Sequence, residues 1–435
     1  MLDMFNYYQD SKSINLLKKL SNKVSIFAAV SGLVVRKSKS FKPEVFLLAL
    51  VKAANQGKAS FNKLAIEMSS LDSDCSISPQ ALWKRLAREG CLLEQFIGKC
   101  IALVTSHAVV EAKQHEQKFQ RILTEDSSFV KMLKACASLF PAHGNKHGNT
   151  AGVKLNLIYD LLTGESVELS SHAATTQDRS IAYDVIDIVR KGDLVLRDMG
   201  YFSVKLFSLI EQKSADWLSR VPRSVNIFTN KDNTLESLLK SSKSGLIDRQ
   251  IKLTEEHTSA RLIAVRKTKQ HAEKSVRELK QEFKKKGKTP SQKAIQRVQW
   301  HLLVTSVSKE KMTGQELGRL YGQRWQIEII FKAWKQSGNL SRSLSKKSGY
   351  QHMLGIFLAE VFRLALIMQS YARLRRKSSN SARLSISKLS DWISTQIGNG
   401  QSISSLLKNL PPFRLISTQK RTRKSQLMSM LELLG

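Results

Sequence analysis

Acidic side chains are in short supply in this chain. Over 435 residues, 36 Asp and Glu face 70 Lys and Arg, leaving a formal net charge of +34. So large an excess repels itself unless a polyanion neutralises it, and nucleic acid is the usual polyanion. Cysteine is scarce as well. Cys75, Cys91, Cys100 and Cys136 form no C-x-x-C pair and no regular framework, which argues against a disulfide scaffold and against a zinc site. They read as reduced thiols of a cytosolic protein. The opening segment MLDMFNYYQDSKS has no basic stretch leading into an apolar one, so no secretory signal is expected. The most apolar run, Leu354 to Met368, is interrupted by Glu360 and Arg363 and is too short to span a bilayer. No membrane partner is expected. No internal repeat is apparent, and the length suits about three domains with a substantial core.

Residues 1–115 read as helical. Phe46 to Ala54 and Phe61 to Met68 carry apolar residues at helical spacing. In LDSDCSISPQALWKRLAREG, Ser78 suits an N-cap, Pro79 the first helical position and Gly90 a stop. A helix, a polar turn and a second helix bearing Gln80, Lys84 and Arg85 fit a helix-turn-helix that enters a major groove. They fit an ordinary helical hairpin equally well.

From Gln120 the period changes. Arg121 to Ser128 predicts a strand carrying Asp126, with the adjacent Glu125 on its opposite face. Val153 to Tyr159 and Ser166 to Ser170 alternate around the turn Leu162-Thr163-Gly164-Glu165, which is a hairpin pattern. Ile181 to Val189 is helical and stops at Gly192, and the apolar run Leu194-Val195-Leu196 predicts a buried parallel strand ending at Asp198. Three strands, a helix and a strand are the opening order of a ribonuclease-H-like α/β fold. Between Asp198 and Glu328, strands are expected at 224–229, 250–254 and 260–268, and a very basic helix from Ala272 to Lys286. The strand Trp300 to Thr305 then returns to the core. The expected domains are a helical DNA-binding region (1–115), an α/β core (116–204 and 301–370), a mainly β insertion (205–300) and a basic helical C-terminal region (371–435). His143 and His147, flanked by glycines, read as loop residues and not as metal ligands.

The segment Tyr321 to Lys335, YGQRWQIEIIFKAWK, is the most telling. On one continuous helix at about 100° per residue, Tyr321, Arg324, Glu328 and Lys335 fall within an arc of about 60°. Ile327, Ile330, Phe331 and Trp334 form the adjoining apolar stripe. Such a face suits gripping a phosphate backbone beside a metal ion, although a solvated ion-pair face has the same composition. The spacing Y-x2-R-x3-E-x6-K resembles the signature of the insertion-sequence-four family of bacterial DDE transposases. Asp126-Ser127-Ser128 and Asp198-Met199-Gly200-Tyr201 resemble that family's two aspartate motifs, with Met199 standing where the family often has a basic residue.

The resemblance implies a ribonuclease-H-like catalytic core interrupted by an insertion. It implies that Asp126, Asp198 and Glu328 bind two Mg²⁺ ions, with Mn²⁺ as a substitute, for DNA cleavage at inverted-repeat ends and strand transfer into target DNA. Two hard cations about 3.5–4 Å apart activate the attacking oxygen and stabilise the leaving one, and carboxylates are their natural ligands. Tyr321, Arg324 and Lys335 would contact end DNA, with Lys332 at the edge of the same arc. Trp300 matches a family Trp that stacks on a flipped base where cleavage passes through a hairpin; a core indole is the alternative. The family also implies a homodimer on double-stranded DNA and a cytoplasmic, nucleoid-associated location. Two other readings keep the same residues: an inactive DNA-binding inhibitor, and a structure-selective nuclease.

Overall fold

The computed structural model describes residues 13–57, 60–105, 118–132, 134, 137, 140–145, 148–227, 234–253, 259–337, 350–377 and 384–417. The basic tail after 417, the break expected at Gly349, His147 and Cys136 lie outside the described residues.

Among the described residues, five helices open the chain: α1 (Ser13–Val30), α2 (Pro43–Asn55), α3 (Phe61–Leu71), α4 (Pro79–Ala87) and α5 (Leu93–Thr105). The Ser78 side chain caps α4 by accepting from the Ala81 N–H, with Pro79 at the first position, as the sequence predicts. Leu82 and Leu86 turn α4 toward the core. Of the three polar residues expected to point outward, Gln80 and Lys84 are exposed. Arg85 is not: it donates to the Leu33 carbonyl (3.1 Å) and lies over the Phe41 ring at 4.3 Å.

The central region runs β1 (Arg121–Met132), β2 (Pro141–Asn145), β3 (Gly148–Asp160), β4 (Ser166–Ala173), α6 (Asp178–Asp184), β5 (Asp193–Arg197), α7 (Val204–Gln212) and β6 (Asp216–Arg220). It continues with α8 (Leu235–Ser241), β7 (Leu246–Lys252), β8 (Ser259–Arg266), α9 (Lys269–Lys285), α10 (Gln292–Val298) and β9 (Trp300–Thr305). Helices α11 (Gly314–Gly322), α12 (Trp325–Ser337), α13 (Tyr350–Lys377) and α14 (Ile386–Gly398) follow, with two short helices at 403–408 and 413–416.

The nine strands among the described residues form one sheet. Strand β3 pairs antiparallel with both β4 and β1, and β1, β5 and β6 run parallel. The order β4-β3-β1-β5-β6 is the ribonuclease-H-like arrangement expected from the sequence. The β3–β4 hairpin turns at Gly164, whose φ of +82° is costly for any side chain. Strand β5 reads as an unbroken apolar run because helices cover both faces: Leu194 and Leu196 enter the main core, and Val195 enters a second cluster with Phe207 and Trp217.

Strand β9 pairs antiparallel with β6 on one side and β8 on the other, and β7 closes the edge. Residues 205–300 therefore hold helices beside β6, β7 and β8, and all three strands belong to the central sheet. The strand expected at 224–229 is not formed in its described part, residues 224–227, and 228–229 lie outside the described residues. His143 lies within β2, not in a loop.

Helix α13 runs through the main core. Its segment Met353–Arg375 is long and apolar enough by composition to cross a membrane, more than the run 354–368 suggests. Its apolar window is wholly buried inside the protein, so it is a core helix. Gly355 sits where α13 passes α5: a Cβ there would lie 3.0 Å from the Leu93 side chain. The buried pair Glu360–Arg363 (2.9 Å) lies within α13, one turn apart. Arg363 donates to the Trp334 carbonyl (3.0 Å) and to Ser337 and Ser394, while the Trp334 indole donates to the Glu360 carbonyl (2.9 Å). These bonds seat α12 against the core.

Candidate active site

The parallel register of β1 and β5 ends at Thr124 opposite Leu196. Asp126 and Asp198 follow two residues later, beyond the end of the parallel pairing, where open α/β sheets place their ligands. Asp198 lies just past β5, and Asp126 lies midway along β1, which continues to Met132 against β3. Strand alternation sends Glu125 to the opposite face of the sheet. There it pairs with Arg197 at 2.9 Å, whereas Asp126 faces α12.

The segment 321–335 is not one continuous helix. Tyr321 belongs to the last turn of α11, and Glu328 to the first turn of α12. Between them the Gln323, Arg324, Gln326 and Ile327 amides all bond three residues back, a tighter 3₁₀-type winding. The expected apolar stripe nevertheless holds, since Ile327, Ile330, Phe331 and Trp334 are buried.

The break brings two side chains among the acids. The Tyr321 hydroxyl donates to the Arg197 carbonyl (3.2 Å) and to Asp198 Oδ1 (3.4 Å). Arg324 Nη2 donates to Glu328 Oε1 at 2.6 Å, and Nη1 donates to Asp126 Oδ2 at 3.4 Å. One guanidinium thus bridges acids from β1 and α12. Among the described residues, no three His, Cys, Asp or Glu side chains stand close enough together to hold a metal ion as placed. The cation among the acids is Arg324.

Burial pushes the Asp126 carboxyl up to about 6. Arg324 and the Ser127 amide oppose the rise, while the charges of Glu328 and Asp198 add to it. Burial also raises the Tyr321 hydroxyl, and the neighbouring Asp198 adds to that. For Arg324, burial favours losing the proton, but Tyr321, Asp198, Asp126 and Glu328 outweigh it and the net shift is upward.

The Asp126 shift has a measurable consequence. Between about pH 4 and 6 the folded protein holds a proton that the unfolded chain has released. The stability from this group is present at low pH and is lost as pH rises through about 6. Asp126→Asn removes that dependence. Metal-free thermal melts from pH 4 to 7 should show the variant gaining on the natural protein as pH rises. A constant difference across the range would refute the assignment.

The other candidates are placed differently. Lys335 donates to the Phe129 carbonyl at 2.8 Å, against β1, and Lys332 is exposed on the same helix. Trp300 is only 5% exposed, packed in the second core cluster with Arg266 lying 4.6 Å over its ring. Two indoles are exposed, Trp83 on α4 at 52% and Trp325 at 55%, and of these Trp325 lies directly between Arg324 and the Glu328 turn. Sequence reasoning passed over Trp325. Its signal was its position off the Ile327-Ile330-Phe331-Trp334 stripe, which leaves a large aromatic with no core to enter.

Residues 117–359, more than half of the chain, match the family model described as the Transposase DDE domain. The transposase for insertion sequence element IS231F of Bacillus thuringiensis subsp. israelensis is 25% identical, across 80% of this chain and 78% of its own length. The transposase for insertion sequence element IS1151 of Clostridium perfringens is 25% identical across 50% of each chain. Among solved structures, the piggyBac transposase synaptic complex with hairpin DNA aligns over 100% of this chain and 84% of that one. The match has 13% identity and a TM-score of 0.43, too loose to carry an argument.

Proposed function

The chain belongs to the Transposase DDE domain family, and from that premise we propose that it cleaves DNA at the ends of an insertion sequence and joins them to target DNA. The observation that carries this reading is the placement of Asp126, Asp198 and Glu328 around Tyr321 and Arg324, just beyond the parallel pairing of β1 with β5. The donor set fits a divalent metal by its chemistry: hard carboxylate oxygens from three separate elements, on a face where a cation already sits between two of them. Asp126, Asp198 and Glu328 would hold Mg²⁺, or Mn²⁺ in its place. The bound metal would supply charge neutralisation at the scissile phosphate and a more acidic attacking hydroxyl.

The protein's own groups position the DNA. In this reading Arg324 leaves the acids and turns its planar fork to a phosphate, which it can grip through two bonds. Tyr321 holds Asp198 in place through its hydroxyl. Lys332 and Lys335 lie farther along α12 than Glu328 and meet the backbone of the end duplex, Lys335 giving up its bond to the Phe129 carbonyl. Two protomers on paired ends form the working complex.

Stacking on a flipped base needs an accessible ring, which Trp325 has and Trp300 lacks. Trp325→Ala is expected to weaken binding of hairpin or unpaired ends by about tenfold or more, in line with roughly 1–3 kcal/mol per stacked base. Trp300→Ala should instead lower stability by about 3–5 kcal/mol, as for other large core truncations. Gel-shift titrations and denaturant melts of both variants separate the roles. Normal stability of Trp300→Ala with lost hairpin binding would reverse the assignment.

Incubating the protein with candidate inverted-repeat duplexes, Mg²⁺ and a target plasmid tests the whole reading on one gel. Nicks at the ends followed by joined products support it. Binding without nicking would point to an inhibitor, and cutting of branched DNA without joining would point to a nuclease.

A further inference from the structure

Strands β1 and β5 deliver the two aspartates, yet nothing local sets their register. Hairpin strands are aligned by their turn, but these two are parallel and are separated in sequence by β2, β3, β4 and α6. The side chains at the two ends of their shared register carry opposite charges in opposite order. At the start, Arg121 of β1 stands opposite Asp193 of β5; its Nε and Nη2 donate to the two carboxylate oxygens at 2.9 and 2.5 Å. Just past the last backbone pair, the order inverts: Glu125 of β1 meets Arg197 of β5 at 2.9 Å. Each of these four residues lies within one position of the ladder's ends, and the next residues are Asp126 and Asp198.

The inner pair is deeply buried, with Glu125 and Arg197 each 1% exposed. Arg197 Nε and Nη1 meet no hydrogen-bond acceptor among the described residues. Asn156 on β3 donates to Glu125 (3.3 Å) and accepts from the Tyr201 hydroxyl (3.4 Å), which links the pair to the turn after Asp198. A buried ion pair with unmet donors is a poor source of stability, and apolar residues of similar volume commonly do as well. Its best-attested use is to fix registry. Sliding β5 by one residue would send Arg197 to the other face and put Asp198 where Arg197 stands.

We propose that Arg121–Asp193 and Glu125–Arg197 act as a two-ended latch that sets β1 against β5 and thereby holds Asp126 beside Asp198. All four are positioning residues that act through the two aspartates. The inference rests on the reading that those aspartates bind divalent metal, so its test measures metal binding directly.

The experiment is Mn²⁺ titration of DNA-free full-length protein, followed by electron paramagnetic resonance and paired with thermal melts. Replacing the inner pair with apolar residues, Glu125→Met with Arg197→Met, should keep the fold and lower Mn²⁺ affinity by about 10–100-fold, the usual range for outer partners of metal ligands. The same exchange at the buried pair Lys52 and Glu67, which joins α2 to α3, should leave Mn²⁺ affinity unchanged. The charge-reversed pair Glu125→Arg with Arg197→Glu should recover most of the loss. If the inner double variant fails to fold, the outer pair provides the same reading: Arg121→Met with Asp193→Asn should weaken Mn²⁺, and Arg121→Asp with Asp193→Arg should restore it. Natural affinity in the apolar latch variants, or equal losses at Lys52 and Glu67, would overturn the latch. A natural protein that binds no Mn²⁺ would instead overturn the metal reading on which it stands.

Discussion

Asp126→Ala should cut metal-dependent nicking of insertion-sequence ends by well over about 100-fold, while duplex binding stays nearly intact. The size of the effect follows from place. Loss of an outer partner of a metal ligand typically costs about 10–100-fold, and loss of a ligand itself should exceed that. Binding should survive because a chain with a net charge of +34 draws its affinity mainly from phosphate contacts spread over many cations. Removing Asp126 also frees Arg324 from one of its two carboxylate partners. Asp126→Asn is therefore the stricter variant, since it keeps the volume and a hydrogen-bond acceptor for Arg324. Nicking assays with Mg²⁺ beside gel shifts in its absence decide the matter, and full nicking by either variant removes Asp126 from the mechanism.

Arg324→Gln should separate two properties that usually fall together. In DNA-free protein it is expected to tighten Mn²⁺ binding by about tenfold, because it withdraws a positive charge lying within 2.6–3.4 Å of Glu328 and Asp126. The same variant should lose most nicking activity, since no fork remains to hold the phosphate. Arg324→Lys keeps the charge but not the fork, so its metal affinity should stay near the natural value while nicking still falls. Calorimetric Mn²⁺ titration of the three proteins, next to nicking rates, provides the comparison. Unchanged metal affinity in Arg324→Gln would mean that the guanidinium does not stand where the ion must go.

Much of this arrangement was legible in the residues because burial imposes a period. Alternation through Ile122, Thr124 and Asp126 separated Asp126 from Glu125, and the run Leu194-Val195-Leu196 marked a strand covered on both faces. What escaped was set by tertiary contacts. The break between α11 and α12 has Gly322 as its only local sign, and the stripe from Ile327 to Trp334 keeps its helical spacing across the rest of the segment. Strand β6 is too short, Asp216 to Arg220, for alternation to show. Trp300 and Trp325 have the same side chain; Arg266, distant in sequence, covers one and leaves the other in solvent. The bridging place of Arg324 depends on β1 and α12 meeting, which no local pattern encodes.

The seam between β6 and β9 constrains how this protein can shrink. Because β7 and β8 are bonded onto the catalytic sheet through β9, they are not an appendage that a deletion could clip off cleanly. Cutting them away would bare the flank of β9, whose Leu302, Leu303 and Val304 are now buried, and leave a row of unpaired amides inviting another chain to dock. Shorter versions of such a chain would need a replacement cover for that flank before they could remain dispersed in solution.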